Sequence, residues 1–261
     1  MSVSVGGVDF LTVFVKDYPA AKRFYGDLLG WTVQDMPPTE NAEPYSVLSA
    51  GGFGVAGMMN LGPQMKAAGM PPNWTGYVCV DDCDAAAARV QHLGGSVRNP
   101  PTDIPGIGRF AVVADPAGAV FIVMKPTPPD GGRPAPAEGT LGLAGWRELY
   151  GADPESGFDF YARMFGWTKD EAHDMGPMGK YQLFSNQDGQ VGGMMKKPDM
   201  APAHCWNFYF TVDDIDAAAA RAKAGGAQIL MGPMVVPSGD WVFQGADPQG
   251  AIFAVQGPKA A

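Results

Sequence analysis

Apolar and polar positions along the chain alternate between two periods, one of strands and one of helices. Val8 to Val15 reads as a strand. Ala20, Ala21, Phe24 and Leu28 then recur at helical spacing, opened by Asp17 and Pro19 and closed by Gly30. Thr32 to Gln34, Tyr45 to Ser49 and Phe53 to Met59 are short segments separated by Pro or Gly, the pattern of an antiparallel meander. A Gly-, Pro- and Met-rich connector from Asn60 to Asn73 leads to an aromatic and β-branched run, Thr75 to Val80. The next residues, Asp81-Asp-Cys-Asp-Ala-Ala-Ala-Ala-Arg89, begin with a capping acid, end on a base and stop at Gly94-Gly95, which predicts one short helix. A short strand near Ser96, a Pro-rich loop and strands from Gly108 to Ala114 and Ala119 to Met124 follow, the last two joined by Asp115-Pro-Ala-Gly118, a type I turn sequence. The first 125 residues thus hold two βαβββ modules.

The second half writes the same pattern again. Phe24-Tyr25, Gly30-Trp31 and Gly57-Met58-Met59 return as Phe160-Tyr161, Gly166-Trp167 and Gly193-Met194-Met195. After a slightly shorter connector, Trp74, the Ala-rich helix and the Asp-Pro-x-Gly turn return as Trp206, Asp213-Asp-Ile-Asp-Ala-Ala-Ala-Ala-Arg221 and Asp247-Pro-Gln-Gly250. Matches at fixed offsets over most of both halves indicate tandem duplication. Between them lies PTPPDGGRPAPAEGT, a Pro/Gly linker without apolar periodicity. The expected division is therefore a first domain over 1–125 (modules 6–60 and 74–125), a linker over 126–140 and a second domain over 141–258 (modules 143–197 and 204–257).

Composition narrows the function classes. A net charge of −9 with eighteen scattered basic residues argues against nucleic acid, and no apolar run is long enough for a membrane span. With no secretory signal pattern at the start, a cytoplasmic protein is the expectation. Cys79, Cys83 and Cys205 lack CxxC spacing, so neither a disulfide framework nor a structural zinc site is expected.

The stretch from Asp17 through Phe24-Tyr25 to Gly30-Trp31, its copy from Asp153 through Phe160-Tyr161 to Gly166-Trp167, and the two Asp-Pro-x-Gly turns resemble the vicinal oxygen chelate superfamily, the group of glyoxalase I, extradiol dioxygenases and bleomycin-binding proteins. The resemblance implies an α+β fold in which four βαβββ modules pair into two glyoxalase-like domains, each with a cup-shaped mixed sheet around a pocket. It also implies where metal ligands would stand: Phe10, Thr75, Trp146 and Asn207 on the first strands, Ile122 and Ala254 on the last. None is a His or a carboxylate. No cofactor is therefore expected; a divalent metal stays open through His173, His204 and Glu148, without regular spacing to support it.

Strand alternation places Phe10, Thr12 and Phe14 with Thr75 and Tyr77 on the pocket side of the first half, and Trp146, Glu148 and Tyr150 with Asn207 and Tyr209 on that of the second. A carboxylate among aromatic rings is a candidate general base or cation partner, so Glu148 is the candidate catalytic residue; its bland alternative is an ion pair, with Arg147 the nearest base. Arg109 stands where the second half has Trp241, so one rim offers an anion contact and the other an aromatic one. Met194 supplies adaptable apolar lining, or simply core. The leading expectation is a metal-free binder of a small apolar or aromatic molecule. Against it stand a glyoxalase-like enzyme, lyase, isomerase or dioxygenase, using Glu148 with Tyr150, Asn207 and Tyr209, and a non-catalytic scaffold. Pairing into a homodimer stays open.

Overall fold

A computed structural model describes residues 6–37, 43–127, 139–199 and 201–260. The first module runs β1 (Val8–Val15), α1 (Tyr18–Leu29), β2 (Thr32–Asp35), β3 (Tyr45–Ala50) and β4 (Phe53–Asn60). A short helix, α2 (Pro63–Ala67), lies in the connector, where the sequence suggests only coil. The second module is β5 (Asn73–Cys79), α3 (Cys83–His92), β6 (Ser96–Ile104), β7 (Gly108–Ala114) and β8 (Val120–Pro126). β6 keeps its strand through Pro100 and Pro101, which the sequence reading assigns to a loop. As the outermost strand of its sheet, it tolerates the missing N–H groups.

The third module is β9 (Ala144–Gly151), α4 (Pro154–Phe165), β10 (Thr168–Asp174), β11 (Lys180–Asn186) and β12 (Gly189–Lys196). The fourth is β13 (Cys205–Thr211), α5 (Ile215–Ala224), β14 (Gln228–Val235), β15 (Trp241–Ala246) and β16 (Ile252–Gly257). The strands form two eight-stranded mixed sheets, ordered β2-β3-β4-β1-β5-β8-β7-β6 and β10-β11-β12-β9-β13-β16-β15-β14. The fold is α+β. Most of the linker read over 126–140 lies outside the described residues.

Each module helix starts on a capping aspartate, Asp17 and Asp153 for α1 and α4 and, for α3 and α5, the second rather than the first acid of the Asp-Asp pair. Asp17, Asp82, Asp153 and Asp214 accept from the backbone N–H three residues on, at 3.0, 2.9, 2.9 and 2.6 Å. Gly30 and Gly166 end α1 and α4 in the left-handed conformation, φ 68° and 74°.

Contacts gather the chain into two compact units that interleave along the sequence. One holds the described residues within 1–9, 75–134 and 147–206, essentially modules two and three; the other holds those within 10–74, 135–146 and 207–261, essentially modules one and four. We call them the inner and outer units by sequence position.

The same clasp holds each unit. In the outer unit, Tyr25 Oη donates to Asp247 Oδ2 at 2.9 Å, and Trp74 Nε1 donates to that phenol oxygen at 3.0 Å. In the inner unit, Tyr161 Oη donates to Asp115 Oδ2 at 3.1 Å, and Trp206 Nε1 donates to Tyr161 at 3.0 Å. The other carboxylate oxygen takes two backbone N–H groups of its own turn, Ala117 and Ala119 for Asp115, Gln249 and Ala251 for Asp247. The buried phenols, indoles and carboxylates are thereby hydrogen-bonded to one another and to the turn backbone. Burial first, then the facing carboxylate, pushes Tyr25 and Tyr161 well above the ordinary tyrosine range, so both stay protonated donors.

Candidate functional site

Each module sheet has one face against helices and one without. In the inner unit, Leu149 lies against α4 at Gly157, and Arg109 of β7 meets Asp84 of α3, so these residues mark the helix side. Glu148 and Tyr150 alternate with Leu149 and so take the helix-free side. Glu148 is 6% exposed. Its Cα partner across β9–β12 is Gly193, and Met194 is the partner of Leu149. A side-chain carbon on Gly193 would overlap the ring and hydroxyl of Tyr181, so this glycine exists because a phenol lies over it.

Around Glu148 stand Tyr150, which is buried, and Cys205, whose thiol is pushed up to about 11 by burial and then by the Glu148 charge. His204 Nδ1 lies 3.3 Å from the Tyr150 carbonyl. On the neighbouring position, Arg147 Nη2 donates to the Val8 carbonyl at 2.9 Å. His173 sits on β10 rather than in the loop read from the sequence, with Nε2 3.7 Å from Glu171. Among the described residues no three His, Cys, Asp or Glu side chains converge as metal ligands. The combination of His173, His204 and Glu148 is therefore not assembled.

On module two's helix-free face, also in the inner unit, Tyr77 is half-buried and in register with Ile122, which pairs in turn with Val112. Thr75 is buried on the same side.

In the outer unit, Phe243 and Phe253 lie on the helix side, Phe253 edge-on to Phe24 of α1 at 5.6 Å. The opposite face carries Tyr209, Ala254 and Gln244 as one register row across β13, β16 and β15. Gln244 Nε2 donates to Tyr209 Oη at 2.6 Å. Where module two has Ile122 and Val112, module four thus has a smaller residue and an amide. Trp146 and Val236 pack against the cluster of Tyr209, Val242 and Ala254. Asn207 is 3% exposed, and its Nδ2 meets no acceptor among the described residues. A buried N–H in that state calls for a ligand or water acceptor. In module one, Phe14 is buried and Phe10 half-buried, with Thr12 fully enclosed between them in sequence.

Three residues expected to line a pocket belong elsewhere. Arg109 is held at 2.7 and 2.9 Å by Asp84 and at 3.1 Å by Asp103, an assembly that keeps Asp84 below the ordinary carboxylate range. Trp241 shares Phe243's face and lies under Lys259 at 4.5 Å, which itself reaches Asp216 of α5 at 3.1 Å. Met194 is fully buried on the Leu149 side. Analogy between the halves, or composition, puts all three at a pocket, but strand alternation sends them to the helix side. Of the expected catalytic group, Glu148 and Tyr150 are assigned to the inner unit and Asn207 and Tyr209 to the outer. Gln244 and Tyr181 went unnoticed in the sequence; a lone amide inside Trp241-Val-Phe-Gln-Gly245 and the repeated Gly-Met-Met were the available signals. The surface depression lined by Met59, Gly62, Pro63, Gln64 and Met65 offers no titratable side chain, and we assign it no role.

At the positions where the resemblance puts metal ligands, the available oxygen donors are Thr75 and Asn207, with Ile122 and Ala254 buried opposite Tyr77 and Tyr209. That donor set does not fit a divalent cation, which needs several oxygen or nitrogen ligands at one point.

Comparison with known proteins agrees with this architecture. The chain is 34% identical over 253 residues to "Putative glyoxylase CFP32" of Mycobacterium tuberculosis, covering 97% of this chain and 95% of that protein. It is 32% identical over 255 residues to anthracycline biosynthesis protein DnrV of Streptomyces peucetius, covering 92% and 88%. Among solved structures, the Mn(II)-bound glyoxalase of Novosphingobium aromaticivorans superposes with a TM-score of 0.66 at 18% identity, covering 98% of this chain and 83% of that one, a likeness of fold. The family model of the glyoxalase/bleomycin resistance protein/dioxygenase superfamily matches twice, over residues 7–123 and 144–255, and with four capped βαβββ modules beneath those two matches, the chain belongs to that superfamily.

Proposed function

We propose that the protein binds a small, largely apolar or aromatic molecule carrying a hydrogen-bond acceptor, without a metal, on the helix-free face of module four. The observation that carries this reading is the orphaned Nδ2 of Asn207, buried two residues along the same strand face from Tyr209, which takes the Gln244 amide and against whose cluster Trp146 packs. An unsatisfied buried donor destabilises the empty protein and strengthens binding of whatever satisfies it. The aromatic surroundings favour a planar ligand. The name of the Streptomyces relative, an anthracycline biosynthesis protein, supports the same ligand class.

The test is Asn207→Leu, which removes the orphan and keeps the volume. In EDTA, titration with an anthracycline and with anthraquinone-2-carboxylate should show saturable binding to the wild type and at least a tenfold loss in the variant. The empty variant should be as stable as the wild type or about 1 kcal/mol more stable. Binding that appears only with added metal, or that Asn207→Leu leaves intact, would overturn the reading. A second reading, proton-transfer chemistry at Glu148, is favoured by one observation, the near-complete burial of that carboxylate.

A further inference from the structure

We infer that Tyr181 holds Glu148 as a buried anion, an acid–phenol pair built across Gly193, and that this pair takes a hydrogen-bond donor of a ligand on the helix-free face of the inner unit.

Glu148 and Gly193 are Cα partners on adjacent parallel strands, so their first side-chain positions stand about 5 Å apart on the same face. Gly193 has no side chain, and the Tyr181 hydroxyl and ring occupy the space where one would be. The phenol end is thereby brought within reach of the carboxylate next door. The duplicate half repeats the device in the outer unit: Gly57 is overlain by Tyr45, and its Cα partner is Thr12, a wholly buried hydroxyl. Twice, then, a tyrosine crosses a glycine beside a buried polar side chain. Only in module three is that side chain an acid. A buried carboxylate is expensive unless it accepts hydrogen bonds, and a phenol is the donor this geometry supplies. Such a donor favours the charged form, whereas burial alone favours the protonated one.

The groups facing Glu148 from neighbouring elements are Tyr181 of β11, Tyr150 of its own strand and Cys205 of β13. His204 lies just before Cys205. Lys197 is close enough to lower the Cys205 thiol while Glu148 raises it. Tyr181 is thus a positioning residue for Glu148. An anion so held accepts from an ammonium, hydroxyl or amide N–H of a ligand.

The test reads Glu148 itself and needs no ligand, so it stands or falls apart from the Asn207 proposal. Carboxyl-13C glutamate labelling of the full chain, with Glu148→Gln to assign the signal, gives its titration. In Tyr181→Phe the Glu148 pKa should rise by about one unit or more, the loss of one charge-assisted hydrogen bond. Gly193→Ala, which expels the ring, should produce the same rise with the phenol still in the chain. If Gly193→Ala does not fold, Tyr181→Phe decides alone. A Glu148 pKa that Tyr181→Phe leaves unchanged overturns the inference.

Discussion

Tyr161 does three things with one oxygen and one hydrogen. It donates to Asp115, accepts from Trp206 and fills space against Trp167, whose ring is stacked at 5.4 Å. Tyr161→Phe keeps the ring but orphans both partners, so a loss of about 2–3 kcal/mol in chemical denaturation at neutral pH is expected. The pH dependence has a definite sign. Burial raises the Asp115 pKa while its hydrogen bonds, Tyr161 among them, pull it back, so removing the phenol raises it further. A raised folded-state carboxylate contributes stability below its unfolded pKa and loses it as pH climbs through the folded one. The deficit of Tyr161→Phe should therefore widen from acid toward neutral pH. The Phe-Tyr pair and the Asp-Pro-x-Gly turn were both visible in the sequence. That each tyrosine reaches the turn of the other half was not, because periodicity describes what a residue's own element buries and says nothing of a partner more than two hundred positions away, as for Tyr25 and Asp247.

Helix boundaries were the most legible elements, since each is set by a local cap and a local stop. Asp153 shows the chemistry behind one of them. The Ser156 backbone N–H, donating to its carboxylate, holds the Asp153 pKa below the ordinary aspartate value. A depressed carboxylate contributes stability above its unfolded pKa and loses it as pH falls through the folded one. Asp153→Ala should accordingly cost about 1 kcal/mol at pH 7 and converge on the wild type below the normal aspartate range, measured by urea melts across that interval. Strand faces were legible only where alternation could be counted from a fixed point. Phe10, Phe14, Glu148, Tyr150, Asn207 and Tyr209 take the helix-free sides, as counted along β1, β9 and β13. Arg109 and Trp241 were placed by equivalence between halves, which preserves the face but does not say which face it is.

For the whole molecule, duplication and contact do not follow the same grouping. The sequence repeats halves, and the family model matches the two halves separately, yet modules one and four make one compact unit and modules two and three the other. A break in the linker leaves each half with both a tyrosine and an aspartate whose clasp partner is on the other fragment. Residues 1–134 and 135–261 produced separately should each be poorly folded, and should copurify as a 1:1 complex when coexpressed. Two monodisperse, independently stable fragments on size-exclusion chromatography would contradict the interleaved arrangement.

The two clasps also give the protein a pair of internal lamps. Trp31 and Trp74 belong to the outer unit, Trp167 and Trp206 to the inner, and all four rings are buried with their N–H groups bonded. Indoles in such surroundings emit at short wavelength and collect excitation from the tyrosines edge-on to them, 5.1 Å for Tyr25 and Trp74 and 5.2 Å for Tyr161 and Trp206. Replacing Trp167 and Trp206 by Phe would leave the outer-unit indoles as reporters, and replacing Trp31 and Trp74 together with Trp146 and Trp241 would leave the inner pair, so intrinsic fluorescence can follow the opening of each unit separately, with no dye attached.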